Sequence, residues 1–179
     1  FELPEDQLEL LRTAGIFHDI GKIGTADDIL KKSVKLTPDE YDIIKKHPVK
    51  GAHILSALSM FTGVVPLVLY HHEWVNGTGY PEGIKGDQIP FLAKILSVSD
   101  AFDAMTSNRR YRSKLDISHA RDQLIRGSGT QFDEGVVQVF IRVVVDQMDM
   151  IMREMESLDY TVLPMSLAKE STGSYDFAR

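Results

Sequence analysis

Apolar residues recur along most of this chain at helical rather than strand spacing. Pro4-Glu5-Asp6 opens an amphipathic run in which Leu8, Leu11, Gly15 and Ile16 fall on one face, with acids in the first turn where the helix dipole favours them. Gly21 and Gly24 punctuate its end. Thr37-Pro38-Asp39-Glu40 reads as a helix start, with Thr37 as N-cap, Pro38 at the first helical position and Glu40 completing a capping box. Pro48 begins a further helix through Ala52, Leu55 and Leu58, and Val64–His72 forms another short one. Glycines at 77, 79, 83 and 86, with Pro81 and Pro90, make residues 73–90 a loop with special backbone angles. A long apolar helix follows from Phe91 to Met105. Asp116 or Ser118 caps the next, which ends at Gly127-Ser128-Gly129, and residues 133–156 form the last. Val143–Val145 is β-branched but lies inside a helical repeat and reads as helix. After Ser157 the pattern dissolves, so the expectation is an all-α domain over 1–156 and a C-terminal tail over 157–179.

Composition narrows the class. The 179 residues suit one domain of ordinary size. The absence of cysteine excludes a disulfide scaffold, thiolate metal sites and cysteine nucleophiles, and favours a reducing, cytoplasmic address. A net charge of −6 argues against a sequence-independent grip on polymeric nucleic acid, though not against a small anionic ligand held by local charge. Val64–Tyr70 is too short to cross a bilayer, Val136–Val145 carries Gln138 and Arg142, and no charged-then-apolar leader opens the chain.

The chemistry concentrates in histidines. His18-Asp19 ends the first helix with Lys22 one turn on; His47 precedes Pro48; His71-His72-Glu73 closes a helix and opens the glycine loop. Asp100 sits between Val98 and Phe102, where a carboxylate is costly unless it pairs with an arginine or ligates a metal. Imidazoles and carboxylates without thiols form a nitrogen and oxygen donor set suited to iron, manganese, nickel or zinc, and its size points to more than one ion. Neighbouring helical side chains diverge by about 100°, so one ion uses both His71 and His72 only near a helix end. A bidentate Asp19 would bridge two ions while His18 serves one. His53 and His119 stand alone and read as ordinary helical histidines.

The strings His18-Asp19-Ile20-Gly21-Lys22, His47-Pro48-Val49-Lys50-Gly51, His71-His72-Glu73 and Asn76-Gly77-Thr78-Gly79-Tyr80-Pro81 resemble, in order, the blocks of the HD-GYP family of the HD phosphohydrolase superfamily. Asp100-Ala101-Phe102-Asp103-Ala104-Met105 followed by Arg109 and Tyr111, and Phe132-Asp133 before the last helix, extend the resemblance over residues 8–145. It implies a helical bundle of the HD phosphohydrolase type that hydrolyses cyclic di-GMP with two divalent transition-metal ions, iron or manganese before zinc or nickel. It further implies His18, Asp19 and Asp100 around one ion, and His47, His71 and His72 around its neighbour, with Asp19 bridging. Lys22 would contact the scissile phosphate, Gly79-Tyr80-Pro81 would wall the substrate pocket, and Arg109 and Arg112 would meet phosphate or guanine. The family carries a further histidine on a helix ahead of the His-Asp pair, and the 17 residues before His18 contain none. The chain therefore reads as lacking that first metal-ligand helix, and as a fragment with weak or no turnover of its own.

The reaction expected is phosphodiester hydrolysis to the linear dinucleotide, with GMP as the alternative end product and a metal-bridging hydroxide as nucleophile. Two ions roughly 3.5–4 Å apart acidify a bridging water towards a pKa of about 7 and clamp the phosphoryl oxygens. Asp19 and Lys22 are then the catalytic pair, Lys22 as a point charge where negative charge builds. Tyr80 reads equally well as a platform for a purine and as packing for its loop. The alternative function is a catalytically weak or inactive cyclic di-GMP sensor or protein-docking module. Its partners would be cyclic di-GMP, a regulatory domain upstream in the parent chain, and a protein at the 73–90 loop.

Overall fold

The computed structural model describes residues 1–32, 34–107, 116–148 and 150. Among them the backbone is helical, with a single isolated bridge between Ser128 and Phe132 as its only β pairing. The helices are α1 (Glu5–Phe17), α2 (Asp27–Leu30), α3 (Pro38–Ile44), α4 (His47–Ser56), α5 (Val65–Tyr70), α6 (Phe91–Thr106), α7 (Ile117–Gly127) and α8 (Glu134–Phe140). The all-α expectation holds. The 157–179 tail and the end of the last helix lie outside the described residues.

One helix organises the rest. Ala93, Leu96 and Asp100 recur at helical spacing on one stripe of α6, while Val98 and Phe102 lie on the opposite stripe. The first stripe joins a core of Ala14, Leu55, Val64, Leu67, Val68 and Ile89, with Leu10, Leu11 and Phe17 of α1 packed against it. The second stripe joins a separate core of Ala120, Leu124, Phe132, Val136, Val137, Ile141 and Val145. Asp100 thus reaches the α1–α5 half of the molecule because hydrophobic seams on both sides of α6 fix its rotation.

Local signals explain the boundaries. Thr37 Oγ1 accepts from Glu40 N at 3.2 Å and the Glu40 carboxylate accepts from Thr37 N at 2.7 Å, which is the capping box expected at the start of α3. Asp116 occupies the N-cap of α7, yet its side chain makes no cap bond and instead accepts from Ser118 Oγ at 3.3 Å. Val64–His72 shortens to α5, with His71 as its C-cap. Leu58 lies past the end of α4 and is 54% exposed. The face expected for α1 is also corrected: Ile16 is 76% exposed, and Ala14 is buried in its place. Adjacent Leu10 and Leu11, with Ile16 and Phe17 beside each other, fit two rotations of the same helix, and packing selects the one that carries Leu11, Ala14 and His18 inward. Val143–Val145 is helical, but as part of a π turn over Ile141–Val145.

The second half is tied to α6 by charge. Asp133 caps α8 by accepting from Val136 N at 3.2 Å, and it takes Lys94 Nζ of α6 at 3.1 Å, where the lysine side chain is 9% exposed. Burial works against the Asp133 carboxylate, but Lys94 and the α8 backbone outweigh it and hold its pKa below the usual range. Asp133→Ala removes a cap and strands a buried ammonium, an expected loss of about 3 kcal/mol in chemical denaturation; Asp133→Asn, which keeps the cap acceptor, costs less. Because the folded pKa is depressed, the carboxylate's stabilisation is present above its unfolded value of about 4 and fades as pH falls through the folded value. The gap between wild type and Asp133→Asn in urea midpoint is therefore expected to shrink on acidification below pH ~4.

Candidate metal centre

Three helix C-terminal ends aim imidazoles at one point. The last carbonyls of a helix have no intrahelical donor. His18, the C-cap of α1, places Nδ1 at 2.8 Å from Gly15 O. His47, just beyond α3, places Nδ1 at 2.9 Å from Ile44 O, and His71, the C-cap of α5, places Nδ1 at 2.7 Å from Val68 O. A carbonyl only accepts, so each Nδ1 carries a proton, and on neutral His47 and His71 Nε2 then presents a lone pair inward. His47 and His71 are 1% and 0% exposed, and their Nε2 atoms face each other at 3.3 Å.

Two lone pairs at that separation repel unless a proton or a cation stands between them. A proton is disfavoured near neutrality: burial pushes the His71 pKa down to about 4 and also lowers that of His47. His72 is lowered too, by burial and then by the adjacent His71 and His47 rings. His47, His71 and His72 offer ligand atoms that all lie within 4.8 Å of one another. Neutral imidazoles converging in this way fit a first-row cation.

A second group abuts the first. His18 Nε2 lies 3.5 Å from Asp100 Oδ1 and 3.6 Å from Asp19 Oδ2, while Asp19 Oδ1 lies 3.3 Å from His47 Nε2. The two oxygens of Asp19 thus face the two halves of the cluster. Burial opposes the charged forms of His18 and Asp100, but their mutual hydrogen bond outweighs it, raising the histidine and lowering the aspartate. A cavity of about 340 Å³ opens beside them, lined by His18, Asp19, Ser99, Asp100 and Asp103. Lys22 Nζ sits at 2.6 Å from Asp19 Oδ2.

Close backbone approach makes the convergence possible. Gly21, in the 3-10 turn Ile20–Gly24, lies so near the start of α4 that a Cβ there would stand 2.0 Å from His47 O. Gly79 plays a similar part in the 73–90 loop, where a Cβ would stand 2.3 Å from Trp74 N. Tyr80 N donates to His72 O at 3.1 Å, and the Tyr80 ring packs on the His72 ring with centroids 4.8 Å apart. One face of Tyr80 is therefore taken by the cluster, and burial raises its hydroxyl pKa. The role of Glu73 was not legible beforehand: it is 2% exposed and its Oε1 accepts from Glu82 N at 2.6 Å and Gly83 N at 3.0 Å, folding the loop back.

The family model for the HD domain matches residues 1–136. The chain belongs to the HD domain family. Its resemblance to the HD-GYP members holds as well. The chain is 38% identical over 144 residues to a cyclic di-GMP phosphodiesterase of Pseudomonas aeruginosa, covering 80% of this chain and 34% of that protein. It is 39% identical over 110 residues to a 3'3'-cGAMP-specific phosphodiesterase of Vibrio cholerae, covering 62% of this chain and 24% of that one. The chain thus spans a quarter to a third of the length of these curated relatives. Among solved structures, an HDG"Y"P protein from Bdellovibrio bacteriovorus shares the fold with a TM-score of 0.63 at 22% identity, covering 76% of this chain and 43% of that one.

Of the residues singled out by sequence, the fold brings His18, Asp19, Lys22, His47, His71, His72, Asp100, Gly79, Tyr80 and Pro81 to one region. His53 and His119 are exposed on α4 and α7, apart from it. Arg109 and Arg112 lie outside the described residues. No described helix is long and apolar enough to cross a membrane.

Elemental analysis after metal loading is expected to show lower metal per chain in His47→Ala, His71→Ala and His72→Ala, and wild-type content in His53→Ala. Gly21→Ala forces the 3-10 turn off α4; an expected cost of about 3 kcal/mol in thermal or urea unfolding accompanies weaker metal retention.

Proposed function

We propose that this domain is a metal-dependent phosphodiesterase that hydrolyses cyclic di-GMP to the linear dinucleotide. The observation that carries the reading is the pair of lone-pair-bearing imidazoles, His47 and His71, facing each other at 3.3 Å beside a carboxylate with one oxygen directed to each half of the cluster. His47, His71 and His72 would hold one cation, His18 and Asp100 a second, with Asp19 between them. Bound there, such ions would supply a nucleophile at neutral pH and Lewis-acid neutralisation of phosphoryl oxygens; the donor set suits several first-row ions, and the family resemblance puts iron or manganese first.

The chain's own side chains do the rest. Lys22 presents an ammonium beside Asp19, where it would lend positive charge to a phosphoryl oxygen as negative charge develops. The three Nδ1–carbonyl bonds fix the orientation of the imidazoles and turn each Nε2 towards the centre. Gly79, Tyr80 and Pro81 wall the mouth and shield His72 from water. Arg109 and Arg112 are assigned to phosphate or guanine on the family resemblance. The named activities of the relatives, cyclic di-GMP and 3'3'-cGAMP hydrolysis, support a cyclic dinucleotide as substrate.

Incubation of the full-length protein with manganese or ferrous ion and cyclic di-GMP, followed by chromatography, is expected to yield the linear dinucleotide. Asp19→Ala is expected to lose turnover by at least a hundredfold and bound metal together, with helix content by circular dichroism largely kept. Turnover of another nucleotide but not of cyclic di-GMP, with metal demonstrably bound, would overturn the assignment. An unchanged metal stoichiometry in Asp19→Ala would remove Asp19 as the shared ligand.

A further inference from the structure

A cavity of about 620 Å³ opens directly off Asp19 and Lys22 and runs between α2 and α3, lined further by Leu30, Lys32, Lys35 and Tyr41. None of its outer residues belongs to the ligand cluster. Its walls are held in place: Lys32 Nζ of the connecting segment meets both Glu40 oxygens at 2.6 and 2.7 Å, and the same carboxylate accepts from Thr37 N. Glu40 is thereby committed to bracing the wall. Lys35, by contrast, is exposed, contributes to the cavity wall and has no carboxylate within ion-pair distance among the described residues. Tyr41 is 48% exposed, with Lys45 Nζ at 5.2 Å from its ring centroid. The remaining walls, Ile29, Leu30, Leu36 and Ile44, are apolar.

An aromatic ring, an unpaired donor and an apolar slot next to a phosphodiester-binding centre form the inventory of a nucleobase subsite. We propose that this groove binds one base of the cyclic dinucleotide, with Tyr41 stacking on it and Lys35 selecting guanine over adenine. The proposal rests on the phosphodiesterase reading. Its physical basis is the edge each purine presents: guanine offers two acceptors, O6 and N7, to a lysine ammonium, whereas adenine places an N6 amino donor where O6 would be. The volume, within the range of about 300–1,000 Å³ typical of ligand pockets, accommodates a nucleoside with the phosphate left at Lys22. Relatives that act on cyclic di-GMP and on 3'3'-cGAMP give the selection a meaning, since these substrates differ by one guanine for one adenine.

Tyr41→Ala, Tyr41→Phe and Lys35→Met are the test, read on the whole chain by two measurements. In the first, kcat and KM are measured for cyclic di-GMP and for bis(p-nitrophenyl) phosphate, a diester without bases. Tyr41→Ala is expected to lower the ratio of kcat/KM on cyclic di-GMP to that on the small diester by about tenfold or more, mainly through KM, and Tyr41→Phe to restore it. Lys35→Met is expected to narrow the preference for cyclic di-GMP over cyclic di-AMP. In the second, GMP and AMP are titrated calorimetrically, which needs no turnover. Wild type is expected to bind GMP more tightly than AMP, and both Tyr41→Ala and Lys35→Met to weaken GMP. If wild type hydrolyses neither diester yet shows this pattern with mononucleotides, the subsite stands and the phosphodiesterase reading falls. Equal loss on both diesters, unchanged kinetic ratios, or equal affinity for GMP and AMP in wild type overturns the subsite.

Discussion

The centre depends on an arrangement in which unsatisfied carbonyls at helix ends fix the tautomer of buried imidazoles. Gly15, Ile44 and Val68 are each three residues before a histidine, and each takes that histidine's Nδ1 proton. A helix C-terminus carries partial negative charge, so the ends of α1 and α5 favour positive charge gathering there, while the start of α4 at His47 works against it. Orientation and basicity therefore come from the same backbone groups. Without those bonds, rings buried to the extent of His47 and His71 would be free to turn their lone pairs elsewhere.

Glycine and a buried acid supply the close approaches that convergence requires. Gly21 lets the His18-Asp19 turn pass against the first residues of α4 at a distance no other residue allows, bringing Asp19 Oδ1 to 3.3 Å from His47 Nε2. Gly79 and Glu73 fold the 73–90 loop onto His72, so that Tyr80 lies on the imidazole rather than out in solvent. On one side of this rim the cavity between α2 and α3 leads away from Lys22; on the other, Tyr80 and Pro81 line a smaller recess with Lys45 and Lys46.

Much of this was legible in the sequence, for identifiable reasons. Helical periodicity, the Thr37–Glu40 box and the Pro/Gly punctuation read directly as elements because each is a local energetic preference. His18-Asp19, His47 and His71-His72 stood out because paired donors at predicted helix ends are unusual. The inward face of α1 is not fixed by the sequence, since Leu10-Leu11 and Ile16-Phe17 fit two rotations and only tertiary packing chooses between them. Glu73 and the Lys32–Glu40 brace were invisible for another reason: their partners are backbone amides and side chains brought near by folding, and no spacing announces them. The groove bounded by Tyr41 and Lys35 likewise exists only once α2 and α3 are set side by side.

α6 behaves as an axle. Its two opposed stripes are gripped by separate hydrophobic cores, and Asp100 projects from the shaft like a cam. Turning the helix by a single residue would swing that carboxylate through roughly 100° and at the same time drag Phe102 out of the far core. The α7–α8 half, though it contributes nothing to the described histidine cluster, is thus the brake that keeps Asp100 in phase with His18. A strain applied to that remote half would reach the chemistry as torque.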